Sequence, residues 1–153
     1  MHGLLAAGVS ASNVSVSTKS EASAAKLRAE LGVSAFSCET SSDANSATVA
    51  NADVVLVGVK PGYVVEVLTE VAGSLKADAL VISVAAGITT AAMEAAVSNA
   101  VVRAMPNTPS VVGRGVTGIA KGSRASAASG SAVMPTGRSR RARGARSPPP
   151  SPR

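Results

Sequence analysis

The stretch "ADVVLVGVKPGYVVEVL", residues 52–68, changes its period half-way. Apart from Asp53, residues 52–59 form a continuous apolar run, the pattern of a strand buried on both faces. Lys60, Pro61 and Gly62 come next. Proline fixes φ and has no N–H for a ladder, so the chain must leave the sheet there, and Gly62 lets it turn. Beyond the turn, Val64, Val67, Leu68, Val71 and Leu75 share one helical stripe within residues 63–76. A strand, a tight turn and a helix are predicted in that order.

The same unit recurs on either side. "NVSVSTK" (13–19) alternates valine with serine or asparagine neighbours, a period-two strand signal, and residues 20–32 carry Ala, Leu and Lys at helical spacing until Gly32. "ALVISVAAG" (79–87) is a second apolar strand, "TTAAMEAAVSN" (89–99) a helix with Thr89 or Thr90 as its N-cap, and "AVVRAM" (100–105) a strand. "GVTGIAKG" (115–122) adds one more. Strands alternating with helices imply an α/β fold with a mostly parallel sheet flanked by helices.

After Gly122 the pattern stops. The remainder is built of Ser, Ala, Gly, Arg and Pro with no periodic apolar face, and cannot bury enough surface to offset its ordering entropy. The expected organisation is a folded part over 1–121 and a disordered basic tail over 122–153. Up to Lys121, eight basic residues face nine acidic ones; the tail holds seven arginines and no acid. The formal net charge of +6 therefore belongs to the tail, and the folded part is nearly neutral.

Cys38 is the one cysteine, which excludes an internal disulfide and fits a reducing compartment, with the cytoplasm as the expectation. No apolar stretch approaches the roughly 18 to 20 residues needed to cross a bilayer, and "MHGLLAAGVSAS" lacks the basic start and long apolar core of a signal peptide. His2 and Cys38 have no neighbouring ligand types, so no metal is expected.

Ligands of open parallel sheets gather at the carboxyl ends of the strands, which singles out 17–20, 58–62, 84–87 and 104–109. At the first, Ser17, Thr18, Lys19 and Ser20 stand where an NAD site usually places a carboxylate for the ribose 2′-hydroxyl. Hydroxyls, a lysine and a helix N-terminus would instead attract a 2′-phosphate, favouring NADP. The same residues also suit a solvated lysine in a serine-rich helix cap. Lys60-Pro61-Gly62 and Gly87 could admit a flat ligand close to backbone, or could be plain loops. In "VVRAMPNTPSVVGRG" (101–115), Pro106 and Pro109 push Met105 and Thr108 out of the helical region. Asn107 and Thr108 are thus predicted on a stiff, extended loop at a strand end, either as ligand contacts or as part of a proline-stiffened connection.

Taken in order, "GLLAAGVSASNVSVSTKS", "ADVVLVGVKPGYVVEVL", "LVISVAAGIT" and "VVRAMPNTPSVVGRGVTGIAKG" resemble pyrroline-5-carboxylate reductase over residues 3–121. The VAAGIT and R-x-MPNTP segments are the specific ones; the Lys-Pro step is shared with related reductases. The resemblance implies an incomplete Rossmann-like domain and an NADPH-dependent, in some members NADH-dependent, reduction of 1-pyrroline-5-carboxylate to L-proline. It places Ser17, Thr18 and Lys19 at the adenosine 2′-phosphate, Asn45 near the adenine ribose, and Val59, Lys60 and Pro61 at the middle of the dinucleotide. It places Ala85 and Ala86 at the nicotinamide half, Asn107 beside the nicotinamide, and Thr108 at the substrate edge.

Two departures are expected to matter. The family's first strand and glycine-rich phosphate turn should precede "GLLAAG", and without that strand its neighbours would be left with unpaired edges. The family's helical C-terminal half, which forms the homodimer and completes the substrate site, is replaced after about residue 122 by the arginine-rich tail, whose composition suits a frameshifted reading. The chain alone is therefore expected to be inactive. The alternative is a nucleic-acid-binding protein acting through "GRSRRARGARSPPPSPR", whose arginines would give weak, salt-dependent affinity without an aromatic to stack bases.

Overall fold

A computed structural model describes residues 2–109 and 115–126. A short helix α1 (His2–Ala6) leads through a turn to β1 (Ser15–Thr18). Ser20 then caps α2 (Glu21–Leu31), its side chain accepting from the Ser23 amide. The helix ends as expected at Gly32, whose φ of 65° is the left-handed value that closes a C-terminus.

The chain returns as β2 (Ser34–Ser37) and α3 (Ala44–Val49), which no sequence signal announced. Their buried residues are the small Ala35, Ser37 and Ala44, together with Val49, so neither the large-residue alternation of a strand nor a leucine stripe is present. β3 (Val54–Val57) follows, then α4 (Val64–Val71), β4 (Leu80–Ser83), α5 (Thr90–Ala96), β5 (Ala100–Pro106) and β6 (Thr117–Lys121). The predicted helical stripe is met in part: Val64, Leu68 and Val71 are buried and Val67 is half-buried, but α4 gives way to a 3-10 turn over Ala72–Ser74, which leaves half-buried Leu75 beyond the helix. Thr89, not Thr90, caps α5 by accepting from the Ala92 amide at 3.1 Å.

The strands form two sheets. β1 and β2 pair in parallel; β3, β4 and β5 are parallel neighbours, and β6 joins the edge of β5 antiparallel. The core lies where Val55, Val57, Val81 and Val101 meet Val49 of α3, Val64, Leu68 and Val71 of α4, and Met93 of α5. A second cluster of Leu80, Ile82, Val102 and Ala104 covers the other sheet face together with Ile119 and Ala125. Burial of about 25 cal/mol per Å² of apolar surface makes these two layers the main stabilising contribution.

β3 departs from expectation. It was read as buried on both faces, but Val54 and Leu56 are 51% and 56% exposed. Val55 and Val57 of the same strand are buried in the core, whereas Val54 and Leu56 on the opposite face join neither core cluster, at an edge with β4 on one side and no hydrogen-bonded neighbour on the other among the described residues. The incomplete Rossmann-like sheet read from the sequence is thus what the structure has.

Past Lys121 the described chain stays packed. Ser123 Oγ and the Arg124 amide donate to the Glu94 carboxylate, and the Arg124 guanidinium donates to the carbonyls of Glu94, Val97 and Asn99. The predicted tail from residue 127 onward lies outside the described residues, as do residues 110–114.

Candidate functional site

The parallel strands bring the predicted segments to one edge, their carboxyl ends. After β1, Thr18 Oγ1 donates to the Ser20 carbonyl at 3.0 Å, which shapes the turn into α2, while Ser17 is half-buried and Lys19 is exposed. After β2, Cys38 and Glu39 face Lys19 and Ser20 across an open cleft of about 420 Å³. Glu39 is the residue the sequence reading missed. Its carboxylate accepts from the Glu21 amide at 2.9 Å, taking up an N–H at the N-terminus of α2 that an anionic ligand would otherwise use. It could have been found only through β2, since it lies two residues past that unread strand.

Asn45 is engaged inside the protein. Its amide donates to the Glu70 carboxylate at 3.0 and 3.1 Å, and its carbonyl oxygen lies 3.5 Å from the Cys38 thiol, which ties α3 to α4 and to the end of β2. At the end of β3, Val59, Lys60 and Pro61 are exposed, and Pro61 opens a 3-10 turn over Pro61–Tyr63 that delivers the chain to α4. Gly62 turns there without a positive φ, so the left-handed freedom of glycine is not what the turn uses.

The end of β4 is built more tightly. Buried Ser83 accepts from the Ala85 amide at 3.2 Å, Ala85 is buried, and Ala86 and Gly87 are exposed. Gly87 has φ 76°, with open space around it. Arg103 of β5 donates to the Ile88 carbonyl at 2.9 Å and so holds this turn against the neighbouring strand. Its Nε is buried without a hydrogen-bond partner among the described residues.

β5 runs through Pro106, farther than "AVVRAM" suggested. Asn107 then clasps the hairpin: its amide donates to the Val116 carbonyl at 3.2 Å, and its Oδ1 accepts from the Val116 amide at 2.9 Å. Thr108 was expected on an extended loop. It lies instead in a helical turn with Pro109, and both are exposed. Pro109 restrains Thr108 only statistically, and the hairpin's need to reverse direction prevails.

Against this geometry, residues 1–87 match the family described as NADP oxidoreductase, coenzyme F420-dependent. The chain belongs to this family. Within it, the chain carries the N-terminal dinucleotide-binding domain of the pyrroline-5-carboxylate reductase type. A pyrroline-5-carboxylate reductase from Corynebacterium melassecola is 42% identical over 125 residues, covering 78% of this chain and 44% of the relative. One from Pseudomonas aeruginosa is 36% identical over 128 residues, 82% of this chain and 45% of the relative. The solved pyrroline-5-carboxylate reductase of Coxiella burnetii superposes with a TM-score of 0.75 and 31% identity over 86% of this chain and 47% of its own. This member of the NADP oxidoreductase family thus spans less than half the length of the curated relatives it matches.

A dinucleotide cofactor is what the family implies, and the residues present fit one. Gly58 and Gly62 have open space around them, as Gly87 does, so a ligand can approach backbone along the carboxyl edge. Lys19 and Ser20 offer cationic and hydroxyl groups to the cleft after β1. A 2′-phosphate there must contend with Glu39.

Proposed function

We propose that the chain is the cofactor-binding half of an NADPH-dependent pyrroline-5-carboxylate reductase, acting in proline biosynthesis in a reducing compartment such as the cytoplasm. The observation that carries this reading is the 42% identity over 125 residues to a relative of that name. The segments that the resemblance assigns to the cofactor also lie at the carboxyl ends of parallel strands. When bound, the cofactor supplies hydride to the C=N carbon of the substrate.

The chain's own residues position and select. Lys19, with Ser17 and Thr18, binds the 2′-phosphate; Val59, Lys60 and Pro61 pass the dinucleotide along the end of β3. Ala85 and Ala86 flank the nicotinamide half, where small side chains allow close approach, and Asn107 and Thr108 close the substrate side. Asn45 acts at the adenine ribose through its fixed contacts with Glu70 and Cys38. NADH is the second cofactor, favoured to the extent that Glu39 remains on the α2 N-terminus.

The 153 residues span 44% of the Corynebacterium melassecola relative's length and are proposed to bind the cofactor without turning over substrate on their own. The basic tail as a nucleic-acid-binding module is not favoured. A chimaera tests the substrate assignment: residues 1–121 replace the aligned segment of the Corynebacterium melassecola reductase, and oxidation of NADPH is followed with and without 1-pyrroline-5-carboxylate. Substrate-dependent oxidation that falls in Asn107→Ala supports the reading. A folded chimaera that binds cofactor but never oxidises it with this substrate overturns it.

A further inference from the structure

Arg103 is the first residue of the R-x-MPNTP segment, and it stands on β5 short of the strand end that leads to Asn107. A strand paired on both sides is usually apolar where it is buried, and Val101, Val102 and Ala104 around Arg103 follow that rule. Alternation assigns the side chains to faces. Val102 and Ala104 belong to the cluster with Ile119, while Val101 belongs to the core beside α5, so Arg103 lies on the α5 side. Its ladder neighbours are small: Ser83 of β4 on one side and Ala120 of β6 on the other, which leaves room for a guanidinium.

That guanidinium is used sparingly. One Nη donates to the Ile88 carbonyl at 2.9 Å, Nε is buried without a hydrogen-bond partner, and no carboxylate pairs with Arg103 among the described residues. Burying part of a charged group for a single neutral acceptor costs stability, because the unpartnered N–H keeps its desolvation penalty. A cost that the fold tolerates directs attention to where the acceptor is held. Ile88 closes the turn after β4 and precedes Thr89, the cap of α5, so its carbonyl lies outside the helix and receives no intrahelical bond. The other end of the turn is anchored by Ser83, whose Oγ accepts from the Ala85 amide at 3.2 Å. Ala86 and Gly87, between these anchors, are exposed and have no side chain long enough to fix themselves.

We propose, on the cofactor-binding reading above, that Arg103 is a positioning residue for the nicotinamide half of the dinucleotide. By holding the Ile88 carbonyl, it sets where Ala85, Ala86 and Gly87 stand relative to Asn107 at the end of its own strand. It acts through the turn and not by contact with the cofactor. A small displacement of such a turn changes the gap that a flat ring must fill. Lys19 follows β1, which belongs to the other sheet, so the adenosine end is independent of this bond. Loss of Arg103 therefore weakens one end of the ligand alone.

The test uses the full 153-residue chain and two ligands, NADPH and adenosine 2′,5′-bisphosphate, which has the adenosine end and no nicotinamide. Arg103→Met keeps an apolar stem without a donor. Arg103→Lys restores a donor, and one donor is all that the Ile88 carbonyl takes from this side chain. Arg103→Met should weaken NADPH binding by about tenfold and leave the bisphosphate Kd within about twofold, with most of the loss recovered in Arg103→Lys. An arginine that only stabilised the fold would weaken both ligands alike. If Arg103→Met does not fold, the guanidinium N–H resonances of the unaltered chain decide: NADPH should shift the Arg103 Nε signal and the bisphosphate should not. Equal weakening of both ligands, unchanged NADPH affinity in Arg103→Met, no recovery in Arg103→Lys, or an unshifted Nε signal would each overturn the role of Arg103 alone. An unaltered chain that binds neither ligand would instead overturn the cofactor reading, and the role of Arg103 with it.

Discussion

The N-terminus of α2 offers the Glu21 amide to any anion that comes near, and Glu39 already accepts from it at 2.9 Å. On the proposed function, cofactor choice depends on Lys19 and Glu39, which line one cleft. Glu39→Gln should strengthen NADPH binding relative to NADH by about fivefold, the effect of one partly exposed charge contact of roughly 1 kcal/mol, read as the ratio of the two dissociation constants. A ratio unchanged by this substitution would remove Glu39 from the account. Lys19 was legible in the sequence because a cation after an alternating strand is a local signal. Glu39 was not, because the strand that presents it is built of Ser, Ala and Phe without periodic large residues. Glycines divide similarly. Gly87→Ala should cost about 1 kcal/mol through its φ of 76° alone, as nothing crowds the added methyl, whereas Gly62→Ala should leave the melting midpoint nearly unchanged.

Helix α4 is held to the sheet by Val64, Leu68 and Val71, of which Leu68 is fully buried. Leu68→Ala should lower unfolding free energy by about 2 to 5 kcal/mol in a urea titration, the range for a buried leucine that leaves a cavity. Helix α5 is clasped from outside. The Arg124 amide, then the Ser123 amide, hold the Glu94 carboxyl below the usual glutamate range. The lowered value means that this clasp stabilises the fold above the ordinary glutamate pKa and loses its effect as pH falls through the folded value. The stability difference between the unaltered chain and Glu94→Gln should accordingly shrink on acidification, and a difference that grew instead would reverse the sign of the argument. Most elements were readable because valine-rich runs and a clear helical stripe leave strong periodic signals. The exposure of Val54 and Leu56 was not, since an apolar run looks the same whether both of its faces are covered or only one.

At the scale of the whole molecule, the parallel strands of the two sheets are followed at their carboxyl ends by Lys19, Lys60, Ala86 and Asn107. The α/β class followed from alternation alone. The order β2-β1 and β3-β4-β5-β6 did not, because strand order is set by long-range pairing that no local window contains. The central claim is that this edge is a dinucleotide site, and a fluorescence titration of NADPH into the 153-residue chain tests it most directly. The account predicts saturable 1:1 binding that Lys19→Glu weakens by about tenfold, a charge reversal worth roughly 1.4 kcal/mol. Binding that Lys19→Glu leaves unchanged, or no saturation at millimolar NADPH by the folded chain, would contradict it.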